Sequence, residues 1–243
     1  MREAGIASPP VWLDVTGSTN VEALRLAEDG APEWTVVATG HQTAGRGRLG
    51  RSWADAPGKA LLCSIVLRPP LSAEEAPLVT LLAAAAIVRA ADVPGLRSKW
   101  PNDVVADGRK VGGILAEASV AEGRVRHVAL GFGINVTVEE GEFPEEIRGT
   151  AASLASVGGR SEIEPLLTRI LRNLTDAYPV VRERSVDDYR RVCDTLGRTV
   201  RGRSIEGETI EGTAVDVDRL GGLVIRTDAG LRTIAFGQIE HLG

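Results

Sequence analysis

Two apolar stretches dominate the chain. Ala60 to Leu67 (ALLCSIVL) is a near-continuous apolar run, the pattern of a strand covered on both faces. Leu78 to Ala91 (LVTLLAAAAIVRAA) is apolar over 14 residues apart from Thr80 and Arg89. It is too short to span a bilayer and predicts a buried helix, with Glu74 and Glu75 near its positive end and Arg89 near its negative end. Trp34 to Thr39 (WTVVAT) reads as another strand. A first helix is predicted after Thr16-Gly17-Ser18-Thr19-Asn20: Thr19 and Glu22 fit a capping box, Leu24 and Ala27 supply the apolar spacing, and Gly30 stops it. From Arg97 to Val136 the pattern becomes a strand meander. Asp107-Gly108 and Glu122-Gly123 stand where hairpin turns belong, between Val104-Val105, Val111 to Leu115 and Val125 to Leu130.

Glu139 to Glu146 (EEGEFPEE) reads as a solvated loop. Ser161 to Tyr178 is the clearest helix, with Ser161 and Glu164 as a capping box and Ile163, Leu166, Leu167, Ile170, Leu171 and Leu174 on one face. A second helical stretch runs to about Cys193. After Leu196-Gly197 the texture changes to short strands and turns, and 9 of the 28 glycines fall in the last 47 residues. Strands near Thr199 to Arg203, Thr209 to Val217, Leu223 to Thr227 and Leu231 to Ala235 predict a small β-barrel. The expected organisation is therefore a larger unit, 1–194, and a small one, 195–243. The expected fold class is α+β, a mixed, largely antiparallel sheet covered by helices.

Composition narrows the partners. The 243 residues carry 28 Lys plus Arg against 33 Asp plus Glu, a net charge of −5, whereas binding to nucleic acid or an anionic membrane through charge calls for a basic surplus. Met1 to Pro10 contains Arg2 but no apolar run, so it does not read as a secretory signal. Cys63 and Cys193 suit a reducing compartment, with cytoplasm the expectation, and His41, His127 and His241 lack the spacing of a zinc site. Only three basic residues are Lys: Lys59, Lys99 and Lys110. In so Arg-rich a chain, a surviving Lys raises the question of whether its site needs an ammonium.

Candidate chemistry lies in three clusters. His41 to Trp53 reads HQTAGRGRLGRSW. Gly45, Gly47 and Gly50 satisfy a dinucleotide-binding spacing, but the helix that must follow is missing, and no Gly-Lys-Ser/Thr makes a P-loop. What remains is a loop with Arg46, Arg48 and Arg51 and no acid between Gly40 and Ala54. It is expected to lack structure of its own until an anion orders it; a solvated basic turn is the other reading. The second cluster is Lys99-Trp100-Pro101-Asn102-Asp103 with Lys110-Val111-Gly112-Gly113-Ile114-Leu115. There the glycines leave room for a ligand against the backbone, or else mark a bulge. Gly131-Phe132-Gly133-Ile134-Asn135 is the third.

Taken together, Gly17 to Asn20, Gln42, GRGRLGR (Gly45 to Arg51), KWPND (Lys99 to Asp103), Lys110 with Gly112 to Leu115, and GFGIN (Gly131 to Asn135) resemble the biotin protein ligases. The resemblance covers nearly the whole chain, because that family's small SH3-like barrel fits Leu196 to Leu242. It implies a class II synthetase-like catalytic fold and two-step chemistry: biotin and ATP form biotinyl-5′-AMP with Mg²⁺, and a lysine of a biotin carboxyl carrier domain then takes the biotinyl group. By motif position, Ser18, Thr19, Asn20, Gln42, Arg46, Gly47, Arg48, Lys110 and Gly113 would bind biotin, and Arg46, Arg48, Arg51, Trp53, Asn102 and Asn135 would bind ATP or the adenylate. Lys110, Arg48 and Asp103 would be catalytic, with no metal held by protein ligands alone. For Ser18 and Thr19 the competing reading is helix capping, and for Trp53 an ordinary half-buried indole. Members that also repress transcription carry a winged helix-turn-helix before the Ser-Thr-Asn motif. Here 17 residues precede Ser18, so no DNA-binding domain and no DNA partner are expected, and the acidic charge and short apolar runs lead to no membrane partner being expected either. A lipoate-type ligase and a sensor that binds without transfer remain as alternatives.

Overall fold

The computed structural model describes Ile6 and residues 9–204, 207–235 and 237–242; Arg2 of the opening segment lies outside the described residues. A seven-stranded sheet forms the larger unit: β1 (Val11–Leu13), β2 (Val36–Thr39), β3 (Ala60–Leu67), β4 (Arg97–Lys99), β5 (Asp103–Ala106), β6 (Arg109–Ala121) and β7 (Arg124–Asn135), in the order β1-β2-β3-β7-β6-β5-β4. β1 and β2 are parallel and every other neighbouring pair is antiparallel, so the sheet is mixed and largely antiparallel. The expected hairpins form at Asp107-Gly108 and Glu122-Gly123, where both residues of each turn have positive φ, the geometry that follows the twist of the flanking strands.

Helices α1 (Thr19–Glu28), α2 (Pro77–Ala91), α3 (Ile163–Ala177) and α4 (Val181–Val192) cover both faces of the sheet. Strand alternation decides the sides. Val37, Val66 and Ala129 meet α1 through Ala23 and Ala27, while Val36, Ala38, Cys63, Ile65 and Phe132 belong to the main core with α2, α3 and α4. α2 is apolar all round because the sheet, α3 and α4 enclose it, and each buried Leu such as Leu81 or Leu82 contributes about 1.5–3 kcal/mol. Both expected capping boxes are absent. The α1 N-cap is Ser18 and the α3 N-cap is Glu162, neither with a side-chain cap bond. Thr19 instead spends its hydroxyl on Gln42. Glu75 bonds Arg182 at the start of α4 and the Ser72 backbone N–H.

The C-terminal strands β8 (Thr199–Ser204), β9 (Thr209–Val217), β10 (Leu223–Thr227), β11 (Gly230–Ile234) and β12 (Gly237–His241) form a second antiparallel sheet, β11-β10-β9-β8-β12. It is tied to the first at the Lys99-to-Asp103 corner. Buried Trp100, joined to Pro101 by a cis peptide, donates its backbone N–H to Thr195 Oγ1 at 3.0 Å and its indole N–H to the Gly221 carbonyl at 2.9 Å. The acidic segment is not a free loop. Lys59 Nζ bonds the Glu142 carboxylate at 2.6 Å, which gives this lysine a structural place away from the site.

Candidate active site

The α1 face of the sheet carries a cavity of about 320 Å³. Its floor is built by pleating. On β6, Gly113, Leu115 and Glu117 share a face, and on β7 they pair with Gly133, Gly131 and Ala129. Gly131 has no alternative, because a Cβ there would come within 2.0 Å of Asn20 Oδ1. That carboxamide is buried at the start of α1. It accepts a hydrogen bond from Ser64 Oγ and donates to Glu117 Oε2 at 2.7 Å and the Leu115 carbonyl at 3.2 Å. Thr19 gives both its N–H (2.8 Å) and its hydroxyl (3.1 Å) to Gln42 Oε1. Ser18, Thr19, Asn20 and Gln42 thus make one neutral polar wall.

The arginine loop has a defined conformation in the structure. Gly47 N–H donates to the Arg51 carbonyl, Arg46 bridges Ser52, and Trp53 N–H donates to the Gly45 carbonyl, so the loop is a hairpin whose tip, Arg48–Gly50, turns with Leu49 at φ 56°. Charge repulsion does not open it, because each guanidinium has a separate partner: Arg46 with Glu117 at 2.9 Å, Arg48 with Asn102 Oδ1 at 3.3 Å, and Arg51 with Gln238 Oε1 of β12 at 2.7 Å. Burial pulls the Arg48 guanidinium below its ordinary range, Asp103 draws it back up, and Arg51 adds to the lowering.

Trp53 settles where the glycines leave room. A Cβ on Gly133 would lie 2.7 Å from its ring and one on Gly113 3.3 Å, so the indole itself, and not a ligand directly, occupies the space above the paired glycines. Lys110 Nζ stands 5.7 Å from the ring centroid and 2.6 Å from Asp103 Oδ1. The Trp53 indole N–H is buried with no acceptor among the described residues. Lys110 is also held by its backbone, which donates to Thr150 O and accepts from Ala152 N–H.

The cavity gathers Ser18, Thr19, Asn20, Gln42, Arg46, Gly47, Arg48, Arg51, Trp53, Asn102, Asp103, Lys110 and Gly113, the residues singled out from the sequence, with one exception. Asn135 does not line it: its side-chain amide donates to the Ala152 carbonyl at 3.0 Å, in a buried position at the end of β7. Sequence reasoning missed Glu117, although its +2 and +4 spacing from Leu115 and Gly113 places it on the same strand face. It also missed Gln238, which reaches the cavity from the second sheet and leaves no local signal.

Residues 12–135 match the family described as Biotin/lipoate A/B protein ligase family, and residues 195–242 match the Biotin protein ligase C terminal domain. The chain belongs to the biotin protein ligase family. Among its relatives, the biotin--[acetyl-CoA-carboxylase] ligase of Mycobacterium tuberculosis is 34% identical, with 100% of this chain and 94% of that protein covered. The bifunctional ligase/repressor BirA of Bacillus subtilis is also 34% identical, over 95% of this chain and 73% of that protein. A structure of a biotin protein ligase from Aquifex aeolicus in complex with biotin and ATP superposes with a TM-score of 0.79 at 26% identity, covering 97% of this chain and 100% of that one. The second sheet at the rim of the cavity falls within the residues that match the C-terminal domain.

Proposed function

We propose that the chain is an ATP-dependent biotin protein ligase and that this cavity performs both of its steps. One observation carries the reading: Arg46, Arg48, Arg51, Lys99 and Lys110 converge on a cavity whose lining, among the described residues, includes a single carboxylate, Asp103, next to a neutral polar wall. A cationic end and a neutral hydrogen-bonding end suit a carboxylate meeting a triphosphate beside a ureido ring, whose carbonyl and N–H groups need both donors and acceptors. In the first step a biotin carboxylate oxygen attacks the α-phosphate of ATP, pyrophosphate leaves, and biotinyl-5′-AMP forms. In the second, a lysine amine of a biotin carboxyl carrier domain attacks the anhydride carbonyl, the acyl–phosphate bond breaks, AMP leaves and the amine sheds a proton.

Ser18, Thr19, Asn20 and Gln42 take the ureido ring, Gly47 gives close backbone approach, and Gly113 lines the biotin pocket by leaving room for Trp53 and Lys110 beside it. Lys110 places a compact ammonium between carboxylate and phosphate, which repel until screened. Arg46 and Arg48 close over the adenylate and exclude water, while Arg51, Trp53 and Asn102 hold the nucleotide. Asp103, kept beside Lys110, orients the incoming amine and accepts its proton. Among the described residues no group of three or more His, Cys, Asp or Glu could hold a metal ion. Mg²⁺ would enter on the phosphates of ATP, where it would supply charge screening, with Asp103 as the lining carboxylate that could face it. We place the unit boundary at 194/195, supported by the separate C-terminal sheet. We read the partner as the carrier domain of a carboxylase and not DNA, on the acidic surplus. Among the described residues no helix is long and apolar enough to cross a membrane, and together with two free cysteines this supports a cytoplasmic setting. Biotin-dependent ATP–pyrophosphate exchange tests the first step; exchange that biotin does not stimulate would overturn the reading.

A further inference from the structure

The arginine hairpin lies between β2 and β3, and its neck, where His41 faces Asp55, is closed by a group outside the cavity lining. The Asp55 side chain is 2% exposed, although it follows a loop of exposed residues. A single oxygen, Oδ2, lies 3.0 Å from His41 Nδ1 and accepts the Gln42 backbone N–H at 3.4 Å. A carboxylate withdrawn this far from water is costly unless partnered, and its partners are the first two residues of the loop. Gln42 is fixed from the other side as well: it pairs with Thr16 in a parallel bridge, and its Oε1 takes both donors of Thr19. The carboxamide that faces the cavity is thereby set by two anchors, α1 ahead of the loop and Asp55 behind it.

The geometry points to Asp55 as a positioning residue for biotin. It ties the end of the arginine hairpin to the start and orients Gln42 without touching ligand itself. This inference rests on the reading of the cavity as the biotin and ATP site, and it separates biotin from ATP because Asp55 bonds Gln42, whereas Arg51, Trp53 and Asn102, which hold the nucleotide, are fixed by Gln238, the Gly45 carbonyl and the Ile114 carbonyl. In steady-state exchange, Asp55→Ala is expected to raise the KM for biotin about tenfold, the size of one charge-assisted hydrogen bond, with the KM for ATP within about twofold of wild type. Asp55→Asn, which keeps an acceptor for Gln42, recovers most of the biotin KM, and His41→Ala falls between the two. An unchanged biotin KM in folded Asp55→Ala, or equal rises for biotin and ATP, would overturn the inference. Should Asp55→Ala fail to fold, His41→Ala decides, and an unchanged biotin KM there overturns it. Wild-type protein with no biotin-dependent exchange at all would instead remove the underlying function.

Discussion

Gly133→Ala probes the floor of the cavity with the smallest possible change. The added Cβ would stand 2.7 Å from Trp53 Cε2, 2.9 Å from Cζ2 and 3.0 Å from Nε1. Carbon atoms pack comfortably at about 3.5 Å or more, so the indole must retreat by about 0.8 Å or the β7 backbone must sink. Gly133 pairs with both Leu62 and Gly113, and β7 lies between β3 and β6, so the backbone is the stiffer of the two. Overpacking of this kind costs about 1–3 kcal/mol. If that strain is expressed in nucleotide binding through Trp53, the KM for ATP in biotin-dependent pyrophosphate exchange rises about 5- to 150-fold. Gly149→Ala, where nothing lies within 4 Å of the new Cβ, is the neutral control. Removing the obstructing ring should also remove the effect, so Gly133→Ala/Trp53→Ala should match Trp53→Ala alone. An unchanged ATP KM in folded Gly133→Ala, or additive effects in the double variant, would refute the placement of Trp53 as the nucleotide platform.

Other outcomes follow from the same contacts. Lys110→Ala should abolish pyrophosphate exchange with the melting temperature retained, and Lys110→Arg should not restore it, because a bulky planar fork does not sit between the biotin carboxylate and the α-phosphate as a compact ammonium does; restored exchange would show that any cation suffices. Arg48→Gly should release biotinyl-AMP, detected as biotin on unrelated lysines in a protein mixture, whereas strictly carrier-directed labelling would count against a clamp. Acid stability has a defined sign. Burial, with Lys99 and Arg198 nearby and Asp194 opposing them, brings His241 down to about 4, so between pH 6.5 and about 4 the unfolded chain binds the extra proton and stability falls as pH falls. His241→Gln, which can still accept from Thr195, should lose less stability than wild type over that window in urea titrations; an identical loss would assign the acid sensitivity elsewhere.

Much of the architecture is legible in the sequence, for physical reasons that can be named. Ala60–Leu67 and the two Xaa-Gly turns declare themselves locally, since burial on both faces and positive φ each restrict residue choice. The capping boxes at Thr19 and Ser161 did not form, because a hydroxyl at a helix start has other partners available once the chain folds, and Thr19 found Gln42. β1 and β12 escaped notice: one has three residues, and the other, GQIEH, has no apolar alternation strong enough to mark it. The hairpin of the arginine loop leaves no local signal, because its three partners, Glu117, Asn102 and Gln238, lie far away in the sequence. Asn135 shows the converse: a motif residue can spend its amide on the scaffold, here the Ala152 carbonyl, and stand outside the cavity.

The most direct test combines the purified chain with ATP, Mg²⁺ and a biotin carboxyl carrier domain, supplies biotin or lipoate in parallel, and follows the intact mass of the carrier. A gain of one biotinyl group on a single lysine, dependent on ATP and lost in Lys110→Ala, is the expected result. A gain with lipoate but none with biotin, or tight biotin binding with no transfer to the carrier, would contradict it.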